Sequence, residues 1–345
     1  MRRKVSLVVL PLVLACEGRE AKAPEPGLPT APALAVGDDA TIGRVTYLPT
    51  PPGVANVEAV AINAIGWIVG SGVDNAGCTR IVLWSPRGSV EVLPPCATPV
   101  DINGRNLVTG NVTVAGAQRA FLWTPGKGLL DLGSLNGTWS RAAAINDSGW
   151  VVGASGQFGV SQTGFVYIPG QGMRDLSALA GTATIEARAV NQRGEVLADE
   201  RGPPLASIVW HPVTGVRQLP PYQAGLFNPG RAFDLNDSGE AAGYGPYDPF
   251  NDLRTLKWPA AGAPQLLRVW MRCMGWTYGQ RVAKDGSVLG ARYDCLDSRD
   301  VPYLWTSTHG TRFLTDYLRC TARDLSPSGK RAVGNCPSGP ITWDF

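Results

Sequence analysis

Seven times along this chain the same short phrase recurs: an apolar pair, Asn, a turn ending in Gly, then an apolar run closing on a small residue. A tandem period of 40 to 50 residues with strand-like units constrains the fold strongly. Each unit must bury its faces against its neighbours, as in a β-propeller. The clearest copies are Ala144-Ile145-Asn146-Asp147-Ser148-Gly149-Trp150-Val151-Val152-Gly153 and Ala61-Ile62-Asn63-Ala64-Ile65-Gly66-Trp67-Ile68-Val69-Gly70. Others centre on Asn103, Asn191 and Asn236. Two copies are degenerate, with Lys284 and Ser326 in the Asn place and a shortened turn after Lys284. Positions 63, 103, 146, 191, 236, 284 and 326 are separated by 40, 43, 45, 45, 48 and 42 residues, a regularity that coincidence does not produce.

Each phrase has a second half. An apolar-aromatic strand follows, as in Val82-Leu83-Trp84, Phe121-Leu122-Trp123 and Tyr303-Leu304-Trp305, and then a short strand ending in Leu, as in Glu91-Val92-Leu93. A unit therefore reads as four short strands, A to D, joined by Gly/Asn/Pro turns. Six Trp and one Tyr occupy equivalent C-strand positions and are packing residues; each buries about 150–250 Å² between neighbouring units, worth on the order of 2–3 kcal/mol.

The seventh unit stops at Phe345 without a D strand, while the N-terminal segment Gly43–Pro49 resembles one. Pairing the two protects two open strand edges. The expected fold is all-β: a seven-bladed β-propeller of four-stranded blades over 43–345, its last blade closed by the N-terminal strand. Six or eight blades are the competing counts.

Met1-Arg2-Arg3-Lys4 followed by the apolar Val5–Leu14 reads as a signal peptide over 1–15, too short to span a bilayer permanently. Ala15-Cys16 resembles a bacterial lipobox, which makes Cys16 the lipidated terminus and the Pro/Ala/Gly-rich 16–42 a flexible tether. The expected location is an outer-membrane or cell-surface lipoprotein, with a secreted or periplasmic protein as the alternative. Loss of Arg2, Arg3 and Lys4 with the signal leaves 28 basic against 28 acidic residues. With no basic run, nothing points to nucleic acid.

Cys16 apart, six Cys remain in an exported chain, which reads as three disulfides. Cys96, Cys273 and Cys320 precede A strands; Cys78, Cys295 and Cys336 lie between B and C strands. These loops emerge on one face of an up-and-down blade, so the expected pairs are Cys78–Cys96, Cys273–Cys295 and Cys320–Cys336. No Cys-x-x-Cys suggests redox chemistry.

Catalytic signals are sparse. The two His, His211 and His309, fall in C-to-D turns of different units, so neither a His-based metal site nor a Ser/His/Asp triad is expected. Asp234–Glu240 superficially resembles a calcium loop but lacks the bidentate Glu. No cofactor and no metal are expected. The outstanding feature is an aromatic excess outside the repeat positions: Trp139, Tyr222, Phe227, Tyr247, Phe250, Trp270, Trp276 and Tyr293, all on the cysteine-bearing face and rimmed by Arg231, Arg272 and Asp294. Such a face suits a glycan or an envelope protein. Near the starts of A strands, Glu58, Asp101, Arg188, Asp234, Arg281 and Asp324 are channel-mouth candidates for acid–base work.

The pattern of Ala142, Ile145-Asn146-Asp147-Ser148-Gly149 and Val151-Val152-Gly153, with Ala120-Phe121-Leu122-Trp123 and Asp131-Leu132-Gly133-Ser134-Leu135, resembles the bacterial extracellular HAF-repeat family. The resemblance covers 43–345 and is strongest in the first three units, although Arg119 stands where that family's signature His belongs. It implies a secreted or surface-attached repeat protein and carries over no catalytic residue. The expected function is a non-catalytic, lipid-anchored envelope binding, adhesion or scaffold module, a monomer held to the membrane by its lipid. The alternative is a propeller lyase or hydrolase with its site at the channel mouth.

Overall fold

The computed structural model describes residues 44–135, 137–157, 161–182, 185–200, 206–223, 230–246, 253–271, 275–314 and 319–345. The segments expected to be a signal peptide (1–15) and a tether (16–42), with Cys16, and the residues Phe227, Tyr247, Phe250, Arg272 and Cys273 lie outside them.

Strand β1 (Arg44–Tyr47) is followed by β2 (Val54–Ile62), β3 (Ile68–Asp74), β4 (Thr79–Trp84) and β5 (Val90–Ile102). Next come β6 (Val108–Val114), β7 (Ala117–Thr124), β8 (Gly128–Asp131), β9 (Trp139–Ile145), β10 (Val151–Gln157), β11 (Ser161–Ile168) and β12 (Gly172–Asp175). A short helix, α1 (Leu176–Ala180), precedes β13 (Ile185–Val190), β14 (Val196–Glu200), β15 (Ser207–His211) and β16 (Gly215–Gln218). The chain continues through β17 (Arg231–Leu235), β18 (Ala241–Pro246), β19 (Leu253–Trp258), β20 (Gln265–Leu266), β21 (Thr277–Val282), β22 (Val288–Asp294), β23 (Arg299–Thr306) and β24 (Gly310–Phe313). It ends in β25 (Thr321–Leu325), β26 (Arg331–Cys336) and β27 (Gly339–Asp344). The helix was not expected. Asp175 caps it, accepting from the Ala178 N–H, and Gly181 ends it at φ 65°.

The strands form antiparallel sheets of four, in the order A-B-C-D, except that β2 to β8 make one continuous seven-stranded sheet. The exception arises because β5 serves two units. Val90–Val92 pairs with β4 and Ala97–Ile102 with β6. Pro94 and Pro95 keep the crossing extended, since a residue before proline avoids the helical region. The N-terminal strand β1 completes the sheet of the C-terminal unit, with Val45 opposite Trp343 and Tyr47 opposite Ile341.

Every A strand carries a bulge near its C-terminal end, at Val60, Val100, Ala143, Arg188, Phe233, Gln280 and Arg323, and β2 has a second irregularity between Ala55 and Glu58. The bulge explains the small residue that closes the repeat. It brings an A-strand carbonyl against the B strand, so that a Cβ added to Gly70, Gly110, Gly153, Gly243 or Gly334 would stand only 1.9 to 2.1 Å from that oxygen. Unit four has Ala198 in this place.

The repeat Asn does two things at once. Its Oδ1 accepts the N–H four residues on, at 2.9–3.0 Å, in five units. Its Nδ2 donates into the next unit: Asn63 to the carbonyl of Asn103, Asn103 to Asn146, Asn146 to Asn191, Asn191 to Asn236, and Asn236 to Ala283, all at 2.8–3.0 Å. This last bond corrects the alignment of unit six. Ala283, not Lys284, occupies the Asn place: its N–H donates to Ser287 and its carbonyl accepts from Gly286, the bonds that Asn63 makes to Trp67 and Gly66. The turn is therefore of normal length. From unit six to seven the Lys284 N–H donates to the Pro327 carbonyl instead.

The core is distributed to match. Each hydrophobic cluster straddles two successive units, as when Val166 and Leu176 pack with Ile185, Val196 and Trp210. One cluster joins Val333 of the last unit to Val57, Ile62 and Trp84 of the first. Of the seven C-strand aromatics, Trp84, Trp210, Trp258 and Trp343 are buried, while Trp123, Tyr167 and Trp305 are half-buried. The indole N–H groups of Trp84 and Trp258 donate to the carbonyls of Pro49 and Pro220.

Candidate binding face and central cavity

The C-terminal ends of the A strands surround a cavity of about 210 Å³, lined by Asp101, Arg188, Asp234, Arg281 and Asp324 among others. Sequence position alone had selected these residues, and the structure brings all five to one place. It also shows what occupies them. Asp101 Oδ2 accepts the Ile145 N–H at 2.9 Å, Asp234 Oδ2 that of Val282 at 2.9 Å, and Asp324 Oδ2 that of Ile62 at 2.8 Å. Each carboxylate thus clasps the A strand of the following unit. Asp324 Oδ1 also takes Arg281 Nε at 2.7 Å. Arg188 is held by Asp199 at 2.6 Å, which Arg231 shares at 2.6 Å. Glu58 pairs with Arg323 at 3.7 Å.

Crowding three carboxyls around one guanidinium shapes their titration. Burial, and then the charge of Asp324, push Asp101 up from 3.8 to about 7. Burial raises Asp324 as well, against the pull of Arg281. Burial works against the charged Arg281 guanidinium, but Asp324 and Asp234 more than offset it and hold it protonated.

The other end of the sheets carries the loops expected to bind. Trp276 is exposed (44%) and stacks on Tyr293, with ring centroids 4.3 Å apart at 14°. Trp270 is 62% exposed and lies 5.3 Å from the guanidinium of Arg292, which donates to the Trp270 carbonyl. That arginine is buried against Phe313 and Asp294. Three expectations for this face need correction. Trp139 starts β9 and is buried at 8%, so it offers little surface to a partner. Tyr222 is half-buried against the core shared by units four and five. Asp294 is buried with Arg292 and forms no rim.

A second cavity, of about 450 Å³, opens beside Trp276 between units five and six. Phe233, Tyr244, Leu253, Thr277 and Tyr278 complete its wall. Sequence reasoning missed all five. Phe233 is the bulge residue of β17, and bulges re-aim a side chain without leaving any mark in the hydrophobic pattern.

Cys78 is bonded to Cys96 and Cys320 to Cys336, two of the expected pairs. Cys96 sits within the long β5, opposite Arg80, rather than in a loop. Cys295 is also disulfide-bonded. These bonds mark a chain that matures in an oxidising, exported environment. His211 accepts the N–H groups of Val213 and Thr214 and so serves its own turn.

No protein-family model matches the chain, and no curated protein matches it in sequence. Solved structures do resemble it. The β-propeller domain of the Trilobed protease from Pyrococcus furiosus aligns with a TM-score of 0.57 at 12% identity, over 84% of this chain and 95% of that one. The Pyrococcus horikoshii acylaminoacyl peptidase aligns at 0.56 and 9% identity, over 84% of this chain and 51% of that one. The present chain thus corresponds to about half of that peptidase. A chain of the Mitotic Checkpoint Complex aligns at 0.51 and 11%, over 97% and 99%. At these identities the likeness is one of fold: an all-β chain of four-stranded antiparallel sheets of the propeller type.

Proposed function

We propose that the chain is a closed seven-bladed propeller, exported and anchored through a lipid on Cys16, that binds a partner at the cell envelope without chemistry. Closure is supported by the hydrogen bonds and core clusters that run from unit to unit and from Val333, Asp324 and Asn335 back to Ala59 and Ile62. The single observation that carries the binding role is the pair of exposed tryptophans on one end of unit six, each propped by a second side chain. Rigid, half-exposed aromatics are what binding surfaces use as anchors. The HAF-repeat resemblance supports the same surface-attached placement.

The test is retention of the mature protein on panels of envelope proteins and glycans, with Trp270→Ala and Trp276→Ala as probes. A specific partner lost in both variants supports the reading; binding unaffected by either sinks it.

One observation favours the enzyme alternative. A carboxyl held at about 7, as at Asp101, is poised for acid–base work. Against this, both Asp101 oxygens accept backbone N–H groups, from Ile145 and Ile102. Turnover of a lyase or hydrolase substrate that disappears in Asp101→Asn would favour that alternative.

A further inference from the structure

The cavity beside Trp276 has a composition that narrows what it accepts. Four rings, Phe233, Tyr244, Trp276 and Tyr278, and the side chain of Leu253 supply nearly all of its surface. The hydroxyls of Tyr278, Thr277 and Tyr244 are engaged elsewhere. The Tyr278 hydroxyl donates to Asp300 at 2.8 Å, and burial together with that carboxylate keeps it protonated. Thr277 Oγ1 accepts the Thr255 N–H at 2.9 Å. The Tyr244 hydroxyl lies with Arg231, which Asp199 holds. What faces the cavity is carbon and π-surface.

The rings are fixed in place before any ligand arrives. Phe233 packs on Tyr244 at 5.5 Å and edge-on to Tyr278 at 6.5 Å, and Trp276 is backed by Tyr293. Arg254 braces the rim through the Gly275 carbonyl at 2.9 Å. A volume of about 450 Å³ falls within the range of small-molecule sites.

We propose that this cavity binds one uncharged, apolar ring: an aromatic group, free or carried on a peptide side chain. A sugar is disfavoured because its hydroxyls would be stripped of water and find few partners. A quaternary ammonium, the usual guest of an aromatic cage, is disfavoured because no carboxylate stands among the described residues that line the cavity, while the Arg231 guanidinium bonds to Tyr244 of its wall. The proposal rests on the binding-face reading above and supplies the chemistry of the recognised group.

The experiment titrates the mature protein with indole, N-acetylphenylalaninamide, choline and N-acetylglucosamine, read by tryptophan fluorescence and saturation-transfer NMR. Leu253→Trp fills the cavity, Trp276→Ala removes an exposed wall, and Val213→Ala on a distant turn is the control. Saturable binding of indole or the amide, weakened about tenfold or more by Trp276→Ala and by Leu253→Trp but not by the control, is the expected result. Binding of indole alone points to a free compound, and binding of the amide to a peptide-borne ring. No saturable binding of either, or tighter binding of choline or the sugar, overturns the proposal. So does binding indifferent to Trp276→Ala, a variant that leaves the core untouched even if Leu253→Trp does not fold. An envelope partner lost on Trp276→Ala, with no affinity for either ring compound, would refute this chemistry while leaving the binding face intact. Ring binding without any envelope partner would do the reverse.

Discussion

The backbone N–H of Ile62 donates to Asp324 Oδ2 at 2.8 Å, across 262 residues of chain. The same relationship links Ile145 to Asp101 and Val282 to Asp234. Residues that looked like a ring of channel-mouth acids are clasps between adjacent sheets. Asp324 carries the most, because it joins the last unit to the first and also neutralises Arg281.

Asp324→Ala should therefore destabilise the protein by on the order of 2–4 kcal/mol, since it leaves the buried Ile62 N–H without its acceptor and takes from Arg281 the carboxylate bonded to it. Asp234→Ala, which lacks the arginine partner bond, should cost less. Urea midpoints of the two variants decide the matter; equal costs would refute the dual role of Asp324.

Asn146 bonds to Trp150 in its own turn and to Asn191 in the next unit. Asn146→Ala is expected to cost about 1–3 kcal/mol. Asn146→Asp keeps the turn acceptor and loses the cross-unit donor, so it should fall between. The reciprocal change, Ala283→Asn, restores the missing residue in unit six and should raise thermal stability; calorimetry reads the sign.

Gly153 lies opposite the bulge of β9, where an added Cβ would meet the Arg141 carbonyl at 2.0 Å and the Phe165 ring at 3.0 Å. Gly153→Ala should cost about 1–3 kcal/mol through forced displacement of the A strand. Ala198→Gly, at the matching place in unit four, should cost no more than about 1 kcal/mol. The two denaturation midpoints, measured side by side, check the contrast.

Asp101 titrates at about 7 in the folded protein against 3.8 ordinarily, because burial and Asp324 oppose its charge. A carboxyl raised by folding contributes fully below its unfolded value, and the contribution is lost as pH climbs through the folded one. Stability should thus decline between about pH 4 and pH 7, by at most about 4 kcal/mol from this group. Asp101→Asn should flatten that decline. A thermal-melt series across this window that is unchanged by the substitution would contradict the assignment.

The Cys78–Cys96 bond closes a separation of 18 residues where β5 passes from one unit to the next. Replacing both by Ser should lower stability by about 2–4 kcal/mol. Peptide mapping of the non-reduced protein should also recover Cys273 bonded to Cys295.

Period, turn chemistry and alternation along the chain were enough to determine an all-β repeat, the A-to-D order of strands, the pairing of Val45 with the C-terminal strand, and two disulfides. These features are local or repeat at a fixed interval, so side-chain pattern encodes them directly. Tertiary structure alone decided the rest. The extra residue in each A strand shifts the register without altering composition, and it aims Phe233 toward Tyr244 and Tyr278. The alignment of Ala283 with the repeat asparagines became visible from the bond that Asn236 makes to it and from its own turn bonds to Ser287 and Gly286. Whether Trp139 and Trp276, both at the start of an A strand, are buried or exposed depends on what the neighbouring unit sets against them. That is a property of packing between segments distant in sequence, which no local pattern records.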